Sequence, residues 1–148
     1  LDMNKNMIFT LIIKCVAGAY LEEPFMRTIE VPDGMTLGEL HDTIQELTGF
    51  DNDHPFTFFM SRGSRGKRTP VVETDEWEEN QGHLYEIPLR DVFPLPQKMK
   101  LFYWFDFGDD WIFQIGKRGA SKLEDSDARY PKIIAETGPK PVQYPAFE

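Results

Sequence analysis

Apolar residues run almost without a break from Met7 to Val16, and the run is rich in β-branched side chains. Met7, Phe9, Leu11, Ile13 and Cys15 share one face; Ile8, Ile12 and Val16 share the other with Thr10 and Lys14. That pattern predicts a central strand covered on at least one face. Gly18 and Pro24 mark a loop, and Phe25 to Val31 alternates loosely, which predicts a strand returning antiparallel to the first. Pro32-Asp33-Gly34 then punctuates the chain before a helix over Leu37–Thr48. Thr36 suits its N-cap, with Glu39 completing a capping box; Met35 and Leu40 are spaced for a hydrophobic staple. Leu37, Leu40, His41, Ile44 and Leu47 follow helical spacing, and Gly49 is a natural C′ residue.

Beyond the helix, Phe50 to Pro55 reads as a tight acidic turn and Phe56 to Met60 as a short buried strand. Ser61 to Thr69 is a basic, glycine-containing loop, and Glu73 to Asn80 is an acidic stretch centred on Trp77. His83 to Ile87 is expected to be a short strand and Pro88 to Phe93 a single helical turn. The densest piece follows: six of the ten residues from Phe102 to Trp111 are aromatic. Strands over Met99–Phe107 and Trp111–Lys117, joined at Gly108-Asp109, predict an antiparallel hairpin. After Gly119 the pattern fades, and Pro131, Pro139, Pro141 and Pro145 predict that residues 119–148 form an extended tail lying over the body and adding no further element. Runs of strands around one principal helix, without βαβ alternation, predict an α+β single domain. Its sheet is mixed, mainly antiparallel, and opens strand–strand–helix–strand.

Composition narrows the function classes. At 148 residues the chain fits one domain able to bury its own core. Cys15 is the single cysteine, which excludes an internal disulfide and a cysteine zinc cluster; its apolar setting marks it as a small core residue. No stretch approaches the ~18 apolar residues of a membrane span, and the first six residues lack signal-peptide character, so a cytoplasmic location is expected. A formal net charge of −9 argues against general nucleic-acid binding, which depends on neutralising phosphates, and favours basic partners.

Several matching segments carry a family likeness. They are Met26-Arg27-Thr28-Ile29-Glu30-Val31-Pro32, Thr36 through Gln45, Gly49-Phe50-Asp51-Asn52-Asp53-His54, and Phe105-Asp106-Phe107-Gly108-Asp109-Asp110-Trp111. In that order they span about three-quarters of the chain, and on them the sequence resembles the plasmid pRiA ORF-3-like proteins. The most distinctive is the last, aromatic-x-aromatic-Gly-Asp-x-Trp. The resemblance implies a shared α+β fold and no established activity. Family members often carry Trp before the first arginine and near Phe50, and His two residues after the hairpin Trp; here Phe25, Phe50 and Phe113 stand there. The Cys- and Gly-rich ending of many members is absent.

Four groups of residues carry candidate chemistry. Asp106, Asp109 and Asp110 at the hairpin tip suit a divalent cation, or simply turn formation. Asp51, Asp53 and His54, with His41 one helix face away, allow a mixed oxygen–nitrogen metal site or an Asx-type turn. Arg62, Arg65, Lys67 and Arg68 form a basic cluster where an anion can dock or a solvated loop can sit. The spacing of Gly63 and Gly66, followed by Pro70, excludes a P-loop, and Asp106-Phe107-Gly108 lacks every accompanying kinase signature. Phe102, Trp104 and Trp111 can line an apolar sheet face; Phe102 and Trp104 with Ile112 and Gln114 would make an open groove. Two functions follow: a non-enzymatic domain binding a protein or peptide through its aromatic sheet face, or a metal-dependent hydrolase using the acidic turns and His54. No cofactor is evident beyond a possible divalent metal, and the oligomeric state is not encoded legibly.

Overall fold

The computed structural model describes residues 7–73 and 77–146, with the backbone alone for residues 77–79. The readings made for the N-terminal six residues, for residues 74–76 and for the side chains of Trp77, Glu78 and Glu79 lie outside the described residues. The elements are β1 (Met7–Ala17), β2 (Met26–Pro32), α1 (Leu37–Thr48), β3 (Phe56–Ser61), β4 (Thr69–Pro70), α2 (Trp77–Leu84), α3 (Leu89–Val92), β5 (Lys100–Phe105), β6 (Trp111–Lys117), β7 (Lys122–Leu123) and β8 (Lys132–Thr137). They form one α+β unit around an eight-stranded sheet in the order β4-β3-β5-β6-β1-β2-β8, with β7 pairing beside β1. Every described pairing is antiparallel.

The local rules hold where the sequence signals are strongest. β1 is central, and Phe9, Leu11, Ile13 and Cys15 enter the main core while Ile8 is buried on the opposite face. Burial pushes the Cys15 thiol up to about 12, in keeping with an inert core residue. At the start of α1 the Thr36 hydroxyl accepts from Glu39 N–H (3.1 Å) and the Glu39 carboxylate accepts from Thr36 N–H (3.0 Å). Gly49, at φ 74°, ends the helix, and its N–H donates to Gln45 O. Leu37, Leu40, His41, Ile44 and Leu47 all lie in the core.

Three expectations need correction. His83 and Leu84 belong to α2, not to a strand. This helix is held by Asn80, which donates to Val72 O and pairs with the Thr57 hydroxyl, and by Gln81, which accepts from Phe56 N–H. The tail does add elements: β7 pairs with β1 over two residues, and β8 pairs with β2 as the last strand of the sheet. Only the chain beyond it, carrying Gln143 and Tyr144, lies over the body. The groove expected from Phe102, Trp104, Ile112 and Gln114 is closed, because Phe102 and Ile112 are buried with Phe59 in a second small core.

A buried polar network joins the helix to the sheet. The Tyr103 hydroxyl, fully buried, meets His41 Nδ1 at 2.5 Å and accepts from Gln45 Nε2 at 2.9 Å. Gln45 Oε1 takes Asn52 N–H, and His41 Nε2 reaches Asn52 Oδ1 at 2.8 Å. Asn52 Oδ1 can only accept, so His41 carries a proton on Nε2, and with burial favouring the neutral ring Nδ1 is left to accept from the Tyr103 hydroxyl. Phe56 stacks flat on the imidazole at 3.5 Å.

Burial lowers the His41 pKa from 6.5 to about 4, against the opposing pull of Asp42 and the Asn52 hydrogen bond. In this interval the unfolded chain binds the proton and the folded chain does not, so stability rises with pH. The contribution is full above the unfolded value and is lost as pH falls toward the folded one. Over that window it amounts to roughly 3 kcal/mol. Urea unfolding followed from about pH 7 to about pH 4 should show this loss, and His41→Gln should flatten it. A second prediction concerns Gly18, whose missing Cβ makes room for the Trp111 ring. Gly18→Ala drives a methyl into that ring and should destabilise by about 1–3 kcal/mol in the same urea assay.

Candidate functional site

The best-defined polar cluster lies where the turn after α1 meets the hairpin tip. Asn52, at φ 52°, turns the chain after the helix and places Asp51, Asp53 and His54 at the surface. Asp106 (φ 57°) and Asp110 (φ 52°) hold the left-handed positions of the hairpin turn. Within the turn, Asp110 N–H donates to Asp106 O at 2.7 Å and Asp109 N–H to Asp106 Oδ1 at 3.3 Å. The two turns converge: Asp106 N–H donates to Pro55 O, and His54 Nε2 lies 3.3 Å from Asp106 Oδ2.

The C-terminal tail closes this cluster from above. Gln143 is buried, accepting from Asp51 N–H and donating to Asp53 Oδ1. The Tyr144 hydroxyl donates to Asp53 Oδ2 at 2.7 Å and lies 2.7 Å from His54 Nε2. Burial works against ionisation of Asp53, but the bonds from Tyr144 and Gln143, with His54 beside them, hold its carboxyl below the usual range. Asp109 moves the other way, raised by partial burial and by the neighbouring Asp106 carboxylate. The bond to Asp53 pushes the Tyr144 phenol up to about 12. These carboxylate oxygens are largely occupied by turn and tail donors. Among the described residues, no three His, Cys, Asp or Glu side chains are gathered as a metal centre requires. Gln143 and Tyr144 escaped the sequence reading because nothing local in a proline-rich tail signals contacts 90 residues away.

The aromatic candidates divide between the two faces of the sheet. Phe105 pairs with Trp111, and Trp104 with Ile112, so the two tryptophans point to opposite sides. Trp111 is fully buried against Phe50 (4.9 Å), and its Nε1 is the buried side-chain polar atom left without a partner among the described residues. Phe102 is fully buried and stacks on Phe59 at 5.1 Å. Neither Phe102 nor Trp111 can touch a partner. Trp104 remains half-buried, donating from Nε1 to Asp110 Oδ1 at 2.9 Å with Phe107 packed on its ring. The Arg68 guanidinium lies 4.6 Å from the ring centres of both Phe59 and Trp104. Arg62, Arg65 and Lys67 are exposed on the same loop.

A second surface, unforeseen in the sequence, runs between α1 and β8. All six residues of β8 are exposed, and Ile133 and Ile134 keep 47% and 42% of their surface open. A cavity of about 340 Å³ is lined by Ile29, Leu47, Pro131, Ile133 and Glu136. It adjoins another of about 500 Å³ lined by Met35, Glu39, Asp42, Glu46 and Tyr130. Thr43, Glu46 and Pro131 line both.

Among the described residues, no helix is long and apolar enough to cross a membrane. The fold matches a crystal structure of a protein of unknown function, MM3350 from Methanosarcina mazei Go1, with a TM-score of 0.65 over 88% of this chain and 69% of that one. At 21% identity that likeness is one of fold. An uncharacterized protein, y4hQ of Sinorhizobium fredii, is 25% identical over 109 residues, which are 74% of this chain and 54% of that protein. The chain thus spans about half the length of the curated relative it matches. Phe25, Phe50 and Phe113 are packed together: Phe113 contacts Phe25 at 5.9 Å and Phe50 at 6.3 Å. The family model for plasmid pRiA4b ORF-3-like proteins matches residues 16–143, a stretch that includes both converging turns and β8, and the chain belongs to that family.

Proposed function

We infer that this chain is a non-enzymatic protein-binding domain that takes up an extended segment of another protein along the free edge of β8. The observation that carries the reading is the state of that strand. β8 ends the sheet, has β2 on one side only, and is exposed along its whole length with two large apolar side chains uncovered. A strand edge of this kind presents unpaired N–H and C=O groups that an added strand satisfies, while the exposed side chains supply apolar contact. The opposite edge offers much less, because β4 is only two residues long.

Other sites support binding less well. Of Phe102, Trp104 and Trp111, Trp104 alone is accessible, and that ring is already covered in part by Arg68 and Phe107. The hydrolase alternative draws on the 3.3 Å approach of His54 to Asp106, but Asp53 and His54 are engaged by Tyr144.

Immobilised protein and an Ile134→Lys variant should be compared for the proteins they retain from a native extract. Ile134 is exposed, so the charge should change stability by no more than about 0.5 kcal/mol while discouraging strand addition. The expected result is that proteins bound by the parent are lost on the variant, and that adding them back protects β8 amides from hydrogen exchange. Identical retention on both, without β8 protection, would end the reading.

A further inference from the structure

We propose that the segment taken up beside β8 is a basic peptide, its cationic side chains seated in the acidic groove between α1 and β8. This rests on the strand-addition reading and adds the chemistry of the occupant. Strands lie about 4.8 Å apart, and alternate side chains of an added strand face the same way. Those facing α1 enter the two adjoining cavities, whose combined lining holds Glu39, Asp42, Glu46 and Glu136 but one basic residue, Lys140.

The carboxylates differ in how free they are. Glu39 closes the capping box, Asp42 accepts from the Tyr85 hydroxyl, and Glu136 lies 3.4 Å from Arg27 Nε. Glu46 is exposed, its side chain makes no hydrogen bond or ion pair among the described residues, and it borders both cavities. It is therefore the acceptor best placed for an incoming Lys or Arg. Beside it Met35, Leu47, Ile133 and Pro131 form an apolar lining that suits the methylene stems of those side chains.

A second copy of this chain fits the edge less well. Pairing β8 with its own copy brings two acidic α1 flanks to one seam, in a protein already carrying a net charge of −9. The shift between Thr28↔Ala135 and Ile29↔Ile133 leaves Ile134 as a bulge, and a short flexible peptide follows the twist of a bulged edge more readily than a second rigid β8 does.

The test uses two labelled peptides of about eight residues, one alternating Lys with Val and one alternating Glu with Val. Binding is read by fluorescence anisotropy and β8 contact by amide exchange. The lysine peptide should bind at least about tenfold more tightly than the glutamate peptide and protect β8 amides. Glu46→Lys should weaken it about tenfold, whereas Glu73→Lys, an equal charge change beyond β4 at the opposite edge, should leave it unchanged. Equal weakening by both variants would reduce the effect to overall charge and overturn the proposal. Protection of β8 by both peptides with equal affinity would remove the charge preference and leave strand addition standing. Binding of the lysine peptide without β8 protection would remove strand addition itself. A peptide-free dimer in sedimentation, with β8 amides already protected, would make the occupant a second copy and overturn the basic-peptide assignment.

Discussion

The hydroxyl of Tyr103 sits in the middle of the sheet without contact with water, and it is satisfied only because α1 crosses it in one register. A helix shifted by one residue would carry His41 and Gln45 off that hydroxyl. The resulting unpaired buried groups would cost about 1–3 kcal/mol each. The network therefore fixes how helix and sheet meet. Through Asn52 it also fixes the path of the chain after the helix, since that residue binds both Gln45 and His41 while adopting a left-handed backbone. Everything that follows α1, including the convergence of His54 with the hairpin tip, starts from that turn.

The two ends of the molecule then take different characters from the same sheet. At the hairpin end, the tail brings Gln143 and Tyr144 down on Asp51, Asp53 and His54, so a cluster of acidic residues becomes a closed hydrogen-bonded clasp. At the β8 edge the chain stops pairing. Backbone groups and apolar side chains are left open beside a helix flank rich in carboxylates. Polar groups that are already satisfied offer a partner little, whereas an unpaired edge offers hydrogen bonds that are not otherwise made among the described strands. By that contrast the edge suits a partner better than the acidic turns do.

Much was legible along the chain. The capping box at Thr36 and Glu39, the apolar spacing of α1 and the terminating Gly49 are local signals, each carried by residues within a few positions of one another. The alternation in β1 and the hairpin β5–β6 is likewise local, and the α+β class followed from the order of these elements. What was misread lacked such a signal. α2 has little apolar periodicity and is held by Asn80 and Gln81 reaching to other elements. β8 buries none of its residues, so no period-two pattern announced it.

The sequence by itself thus determined the elements whose stabilising contacts lie within one turn or one strand, together with the family likeness carried by the hairpin motif. Only the tertiary structure decided which aromatic residues were available. Trp104 and Trp111 fell on opposite faces because pairing across β5 and β6 sets Phe105 against Trp111, and Phe102 closed because Phe59 came to stack on it. It likewise decided that the acidic turns meet, that the tail covers them, and that a strand edge remains free beside α1. The reason is physical: burial and partner choice depend on residues far apart in the chain, and hydrophobic spacing records a side chain's face only relative to its own neighbours.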